Sequence, residues 1–144
     1  MKKISELRVL IVEDEEYTRD LIDVMLRGLK IRSIYRAENG VAALAIVNDP
    51  ELALPDVIIC DLNMPKMDGF SFVQRLRSNE NSFIARLPVI ILTANSDVFA
   101  VKTGIKLGIS GFLAKPVSAK LLESRISKAL SGPELAPGPA RKIV

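Results

Sequence analysis

Histidine is absent from all 144 residues of the chain, and so is tryptophan. Without an imidazole, the chain carries no Ser-His-Asp or Cys-His catalysis, no histidine metal ligand and no phosphohistidine of its own. Any histidine that a reaction needs must come from a partner. A single cysteine, Cys60, excludes an intramolecular disulfide and suits a reducing cytoplasm. Aromatic residues make up 5% of the chain, too few for a stacking platform that reads single-stranded nucleic acid. Charge of one sign is nowhere concentrated: 20 Lys and Arg stand against 17 Asp and Glu, and no interior run reaches five like charges. A basic stripe for nucleic acid is therefore missing. Apolar runs such as 87–92 fall far short of the roughly 20 residues that cross a bilayer. Lys2 and Lys3 are followed by Glu6 before any long apolar region, so the amino terminus does not read as a signal peptide. The length and the 49% hydrophobic content fit one domain with a real core, not two.

Short apolar runs rich in β-branched residues predict buried strands over 8–12, 31–36, 56–61, 88–93 and 109–114. Apolar residues at helical spacing predict helices over 17–29, with Gly28 as its stop signal, and over 41–49, 70–77, 96–107 and 118–130. Residues 78–87 read as a polar connection. Five strands alternating with five helices give an α/β class, a doubly wound parallel sheet covered on both faces. The domain takes residues 1–130. In 131–144, Pro133, Pro137 and Pro139 with Gly132 and Gly138 mark a flexible tail or linker stub.

In such a sheet the chemistry collects outside the carboxyl ends of the strands. The first strand ends in Glu13 and Asp14, the third in Asp61, the fourth in Thr93 and the fifth in Lys115 before Pro116. Three carboxylates left together repel one another, and oxygen donors without histidine or thiolate point to Mg²⁺ as the ion that relieves them. Lys115 adds positive charge, suited to a carboxylate or a phosphoryl oxygen.

Glu13-Asp14, the segment from Asp61 through Asn63 and Pro65 to Asp68-Gly69, Thr93-Ala94, and Phe112-Leu113-Ala114-Lys115-Pro116 stand in order, each at a strand end. With these four pieces the chain resembles the receiver domain of two-component response regulators, the CheY-like family, over about residues 8–130. The resemblance implies strand order 2-1-3-4-5. It implies that Asp61 accepts a phosphoryl group from a sensor histidine kinase or a histidine phosphotransfer protein. Glu13, Asp14, Asp61 and the main-chain carbonyl of Asn63 would hold Mg²⁺, while Lys115 and Thr93 would bind phosphoryl oxygens. The family more often has Asp where Glu13 stands, which leaves direct or water-mediated ligation open there. Thr93 and Phe112 would form the switch that remodels the face of the fourth helix, fifth strand and fifth helix. Phe112 lacks the hydroxyl of a Tyr, so that switch would rest on packing. Asn63 and Asn95 match positions that tune hydrolysis of the phosphoryl group. A cis peptide is expected before Pro116, and Asp68-Gly69 reads as a turn and helix start.

The resemblance further implies a cytoplasmic protein that binds no nucleic acid or membrane directly and catalyses only its own phosphotransfer and dephosphorylation. A downstream protein target and a phosphorylation-dependent homodimer stay open as partners. Val98, Phe99 and Val101 on the fourth helix are candidates for such contacts, although about half of that helix must face the core.

Each of these residues also has a plainer reading. A lone Asp or Thr at a strand end is more often a cap than a catalyst, and Phe112 reads either as switch or as simple core. Cys60, inside an apolar strand, reads as an inert core thiol. A calcium loop is rejected because that motif wants Gly where Lys66 stands and has no place for Pro65. An aspartyl-phosphate hydrolase would carry Asp where Asn63 stands, and a flavodoxin would carry a Ser/Thr/Gly-rich loop after the first strand. An adaptor that is never phosphorylated, or the receiver of a longer regulator with an output domain, are the remaining alternatives.

Overall fold

The computed structural model describes residues 2–94 and 98–131, so Asn95 and the 132–144 part of the tail lie outside the described residues. After a single 3-10 turn at Ile4–Glu6, the chain runs β1 (Arg8–Val12), α1 (Glu16–Gly28), β2 (Ser33–Ala37), α2 (Gly40–Val47), β3 (Val57–Asp61) and α3 (Gly69–Arg77). One helical turn at Ser82–Ala85 leads to β4 (Val89–Thr93), α4 (Val98–Lys106), β5 (Gly111–Ala114) and α5 (Ala119–Ser131). The five strands form one parallel sheet in the order β2-β1-β3-β4-β5, as the resemblance implied.

The strands are almost continuously apolar because both faces of the sheet are covered. Side chains alternate between two cores. Val9, Ile11, Val57, Ile59, Ile90 and Leu92 pack with Ile22 and Leu26 of α1 and Leu122 and Ile126 of α5. Leu10, Val12, Ile58, Cys60 and Ile91 pack with Ala43 and Val47 of α2 and Phe72, Val73 and Leu76 of α3. Cys60 is fully buried in that second core, and burial pushes its thiol well up, which keeps it inert. Among the described residues no helix is long and apolar enough to cross a membrane.

Among the boundaries that differ from the sequence expectation, those at 28–33, 78–87 and 107–111 have clear local reasons. Gly28 is the last residue of α1, not its stop. The stop is Lys30, in the left-handed region at φ 74°, where Ile31 N–H donates to Leu26 O at 3.0 Å and Lys30 N–H to Arg27 O at 2.9 Å. That is a Schellman end, and it joins Ile31 to Leu26 in the core. It uses up residues 31 and 32, so β2 starts at Ser33 instead of 31. The same device ends α4: Gly108 has φ 69°, and Ile109 N–H donates to Gly104 O at 3.1 Å, so β5 starts at Gly111 instead of 109. The connection 78–87 is not all irregular. Asn81 accepts from Phe83 N–H at 2.8 Å and Ile84 N–H at 3.2 Å, which caps the turn that buries Ile84 and Ala85.

Asp68 caps α3 in the same way, its Oδ1 accepting from Ser71 N–H at 2.8 Å. Asp68→Ala is expected to cost about 1 kcal/mol through loss of this cap. A denaturant melt should show that loss while Mg²⁺ titration stays unchanged; a weakened Mg²⁺ response would instead place Asp68 in the metal cluster.

Candidate functional site

The parallel registers set Val12 beside Cys60, Asp61 beside Leu92 and Thr93 beside Ala114. Glu13, Asp61, Thr93 and Lys115 therefore leave the sheet at one level along the same edge. Backbone bonds hold them there: Glu13 N–H donates to Ala37 O at 3.0 Å and Lys115 N–H to Thr93 O at 2.9 Å. The peptide between Lys115 and Pro116 is cis, as expected. Arg19 was not foreseen. Its Nη1 donates to Glu13 O at 2.8 Å, which ties the acidic loop back to the first turns of α1. A lone arginine one turn into an amphipathic helix carries no signal of this contact in the sequence.

Glu13, Asp14 and Asp61 each present a carboxylate oxygen, and these oxygens lie within 4.8 Å of one another. Glu13 and Asp61 are buried, and Asp14 faces solvent. Lys115 Nζ stands 3.2 Å from Asp61 Oδ1 and 3.2 Å from Glu13 Oε1. One ammonium thus bridges two buried carboxylates. Burial alone would lower Lys115, but Asp61 and Glu13 outweigh it and hold the ammonium above its ordinary value. The charge on Lys115 is therefore permanent at neutral pH.

Glu13 is the unusual acid of the cluster. Its Oε2 accepts from Glu15 N–H at 3.1 Å, while Oε1 is buried and, apart from the ion pair to Lys115 Nζ at 3.2 Å, has no hydrogen-bond partner among the described residues. Burial is the main cause that raises its pKa from 4.5 to about 7; the charge of Asp61 adds to this, and Glu15 N–H and Lys115 oppose it. A buried oxygen without a donor, beside two more carboxylate oxygens, fits a hard divalent cation coordinated by oxygen. The donor set is therefore right for Mg²⁺, and Glu13 reaches the cluster with its own oxygen.

The other expected residues fall around this cluster. Asn63 is exposed on the β3–α3 loop, two residues beyond Asp61. Thr93 is buried at the end of β4. Phe112 is half-buried on β5, and its ring reaches α4 at Gly104: a Cβ built on Gly104 would lie 2.6 Å from Phe112 Cζ. The ring therefore occupies a notch that only glycine leaves open. Gly69 lies flat against the strand end that carries Asp61, its N–H donating to Leu62 O at 2.7 Å. Of the α4 candidates, Val101 is half-buried, and the side chains of Val98 and Phe99 lie outside the described residues. Ile105 on α4 and Leu121 on α5 are the exposed apolar residues there instead.

The family model for the response regulator receiver domain matches residues 9–127. The chain is 36% identical over 123 residues to the "Probable transcriptional regulator ycf27" of Guillardia theta, covering 85% of this chain and 45% of that protein. It is 34% identical over 126 residues to the "Probable chemotaxis protein CheY" of Rhizobium etli, covering 88% of this chain and 94% of that protein. Among solved structures, the chemotaxis response regulator CheY4 of Vibrio cholerae matches with a TM-score of 0.76 at 31% identity, over 86% of this chain and 98% of that one. The chain spans about half the length of the curated transcriptional regulators it matches.

Proposed function

The chain belongs to the receiver domains of response regulators, and from that membership we propose that it is a cytoplasmic switch phosphorylated on Asp61 by a histidine kinase or a histidine phosphotransfer protein. The observation that carries this reading is the bridged pair: Lys115 Nζ at 3.2 Å from both Asp61 Oδ1 and Glu13 Oε1. A buried carboxylate held beside a permanent cation has positive charge at hand for the incoming phosphoryl oxygens.

In the transfer, an Asp61 oxygen forms the new O–P bond as the P–N bond to the partner's imidazole breaks, and the imidazole leaves with the electron pair. Lys115 turns from the free carboxylate to a phosphoryl oxygen, and the Thr93 hydroxyl donates to another. Glu13, Asp14, Asp61 and the main-chain carbonyl of Asn63 would hold Mg²⁺, which when bound supplies positive charge against the phosphoryl oxygens. Hydrolysis of the aspartyl phosphate is the chain's own activity, tuned at Asn63 and Asn95, and no separate substrate is turned over. Phosphorylation adds nearly two negative charges at the sheet edge. Thr93 and Phe112 carry that change to α4, β5 and α5, where exposed Ile105 and Leu121 offer contact to a target or a second copy. The half-length match to transcriptional regulators supports one variant of this reading, in which the receiver drives an attached output domain.

Intact-mass spectrometry after incubation with a small-molecule phosphodonor, with and without Mg²⁺, tests the reading. A Mg²⁺-dependent phosphoryl adduct that disappears in Asp61→Asn is the expected result. A folded chain that takes no adduct, from a donor active on another receiver, would leave an unphosphorylated adaptor as the function.

A further inference from the structure

Glu13, Asp14, Glu15 and Glu16 are four acids in succession, and the nearest cation in sequence is Arg19. Arg19 is half-buried one turn into α1, yet among the described residues no carboxylate lies within ion-pair distance of its guanidinium. Its Nη1 donates to main-chain carbonyls instead, to Glu13 O at 2.8 Å and, more weakly, to Asp14 O at 3.5 Å. The N–H of the same residue donates to Glu15 O at 2.9 Å. Arg19 therefore holds the acidic loop at its beginning by the side chain and at its end by the main chain.

Glu15, at the N-cap of α1, makes no side-chain capping bond, so the usual device does not fix how the chain enters the helix. Upstream, Glu13 N–H donates to Ala37 O at 3.0 Å, and Glu13 Oε2 accepts from Glu15 N–H at 3.1 Å. With the Glu13 carbonyl clamped as well, both peptide planes that flank Glu13 are set, and with them the direction in which its side chain leaves the backbone. The plane after Glu13 is also the plane before Asp14. The same bond thus settles where the Asp14 carboxylate starts from. A carbonyl bonded by a cation is held more firmly than one bonded by a neutral donor, which suits a loop whose carboxylates repel one another.

Resting on the receiver reading above, we infer that Arg19 is a positioning residue for the cation site: through Glu13 O it keeps the Glu13 and Asp14 oxygens together, so that a divalent cation meets a preset cluster. This role is opposite in sign to the charge that Arg19 carries. A guanidinium close to a Mg²⁺ site repels the ion, and by charge alone its removal would tighten binding. Removal of a group that orients metal ligands weakens binding, commonly by roughly ten- to a hundredfold.

Mg²⁺ titrations of the chain at pH 8, followed by amide NMR shifts, test this beside the Mg²⁺ dependence of phosphoryl adduct formation. Arg19→Ala should raise the Mg²⁺ dissociation constant about tenfold. Its rate of adduct formation at saturating Mg²⁺ should stay within about twofold of the parent, because only the gathering of the ligands has been lost. Arg19→Lys keeps the charge and a donor and should fall between the two. If Arg19→Ala does not fold, Arg19→Lys carries the test, with about a threefold loss expected and no loss overturning the role. Arg27→Ala removes an ion pair, 2.6 Å to Asp23, from the far end of the same helix. It should lower the melting temperature in chelator and leave Mg²⁺ affinity unchanged. An Arg19→Ala chain that binds Mg²⁺ as tightly as the parent or more tightly overturns the positioning role, and so does a matching loss in Arg27→Ala or a parent that binds no Mg²⁺. A parent that binds Mg²⁺ and takes no adduct sinks the receiver reading alone, and the titration still decides for or against Arg19.

Discussion

Glu13→Gln is expected to make the metal-free chain more stable at pH 8 and at the same time to strip it of its response to Mg²⁺. The Glu13 Oε1 is buried without a hydrogen bond, and burial is the chief cause that raises the Glu13 pKa from 4.5 to about 7. For an acid raised in this way the folded state binds the extra proton. The stability it contributes is then fully present below pH 4.5 and is lost as pH rises to about 7. A shift of this size corresponds to ~3 kcal/mol across that window. Glutamine keeps the shape and cannot ionise, so the slope should vanish and the metal-free variant should gain about 1–3 kcal/mol at pH 8. In the parent chain a divalent cation would sit against Oε1 and offset the burial of its charge beyond what the Lys115 ammonium 3.2 Å away does. Removing that ligand charge should weaken Mg²⁺ binding by at least about tenfold. Parent binding should also weaken as pH falls below 7, because the proton on Glu13 must leave before the ion can enter. Denaturant melts at pH 5 and pH 8, each with chelator and with Mg²⁺, check all of this. A variant less stable than its parent at pH 8 without metal, yet still stabilised by Mg²⁺, would make Glu13 a structural residue only.

Gly69→Ala is expected to destabilise the chain through a single added methyl. A Cβ there would lie 2.6 Å from Asp61 O and 2.9 Å from Leu62 Cα, and both are backbone atoms. Alanine gains roughly 1 kcal/mol over glycine inside a helix. Overpacking against atoms that cannot rotate away costs about 1–3 kcal/mol and at times more. With backbone on both sides the second effect wins, and a net loss of about 2 kcal/mol should follow, together with a weaker Mg²⁺ response as Asp61 is displaced. Gly40→Ala is the matched comparison. The added Cβ would meet Met67 Sδ at 2.8 Å, Cγ at 3.1 Å and Cβ at 3.2 Å, all within one flexible side chain. Methionine re-packs readily, so Gly40→Ala should stay within about 0.5 kcal/mol of the parent. Thermal melts of the two variants side by side decide the matter. Equal losses would mean that the contact with the Asp61 backbone is no tighter than a side-chain contact.

The sheet and its active edge were legible because their physics is local. A run such as Val57 to Cys60 ending in Asp61 has one sensible home, a strand covered on both faces with its charge at the mouth. The contact of Glu13, Asp61 and Lys115 follows once the strands are parallel and in register. Arg77 was not legible. An arginine at the end of an amphipathic helix normally lies in solvent, whereas this one is fully buried and donates to four main-chain carbonyls 8, 10, 30 and 31 residues further along the chain. Nor could periodicity show that Lys30, a residue with a Cβ, takes the left-handed turn usually left to glycine. Residues 78–87 read only as a polar connection, and it takes the Asn81 cap with the burial of Ile84 and Ala85 to make part of it helical. The unbonded Oε1 of Glu13 needed three dimensions as well, since a carboxylate at a strand end is equally consistent with a solvated one.

β1 lies inside the sheet, between β2 and β3. Its first neighbour follows closely, Arg8 pairing with Ser33, but the other edge waits for Val57 to Cys60. During synthesis at roughly 5–20 residues per second, the gap between Val12 and Cys60 is on the order of several seconds, and the ribosomal tunnel delays the partner and the strand alike. For that time the nascent chain carries an apolar strand paired on one side only. The β1–β2 unit therefore meets the cell as an unfinished sheet, open to chaperones or to a neighbouring nascent chain until β3 emerges and closes it.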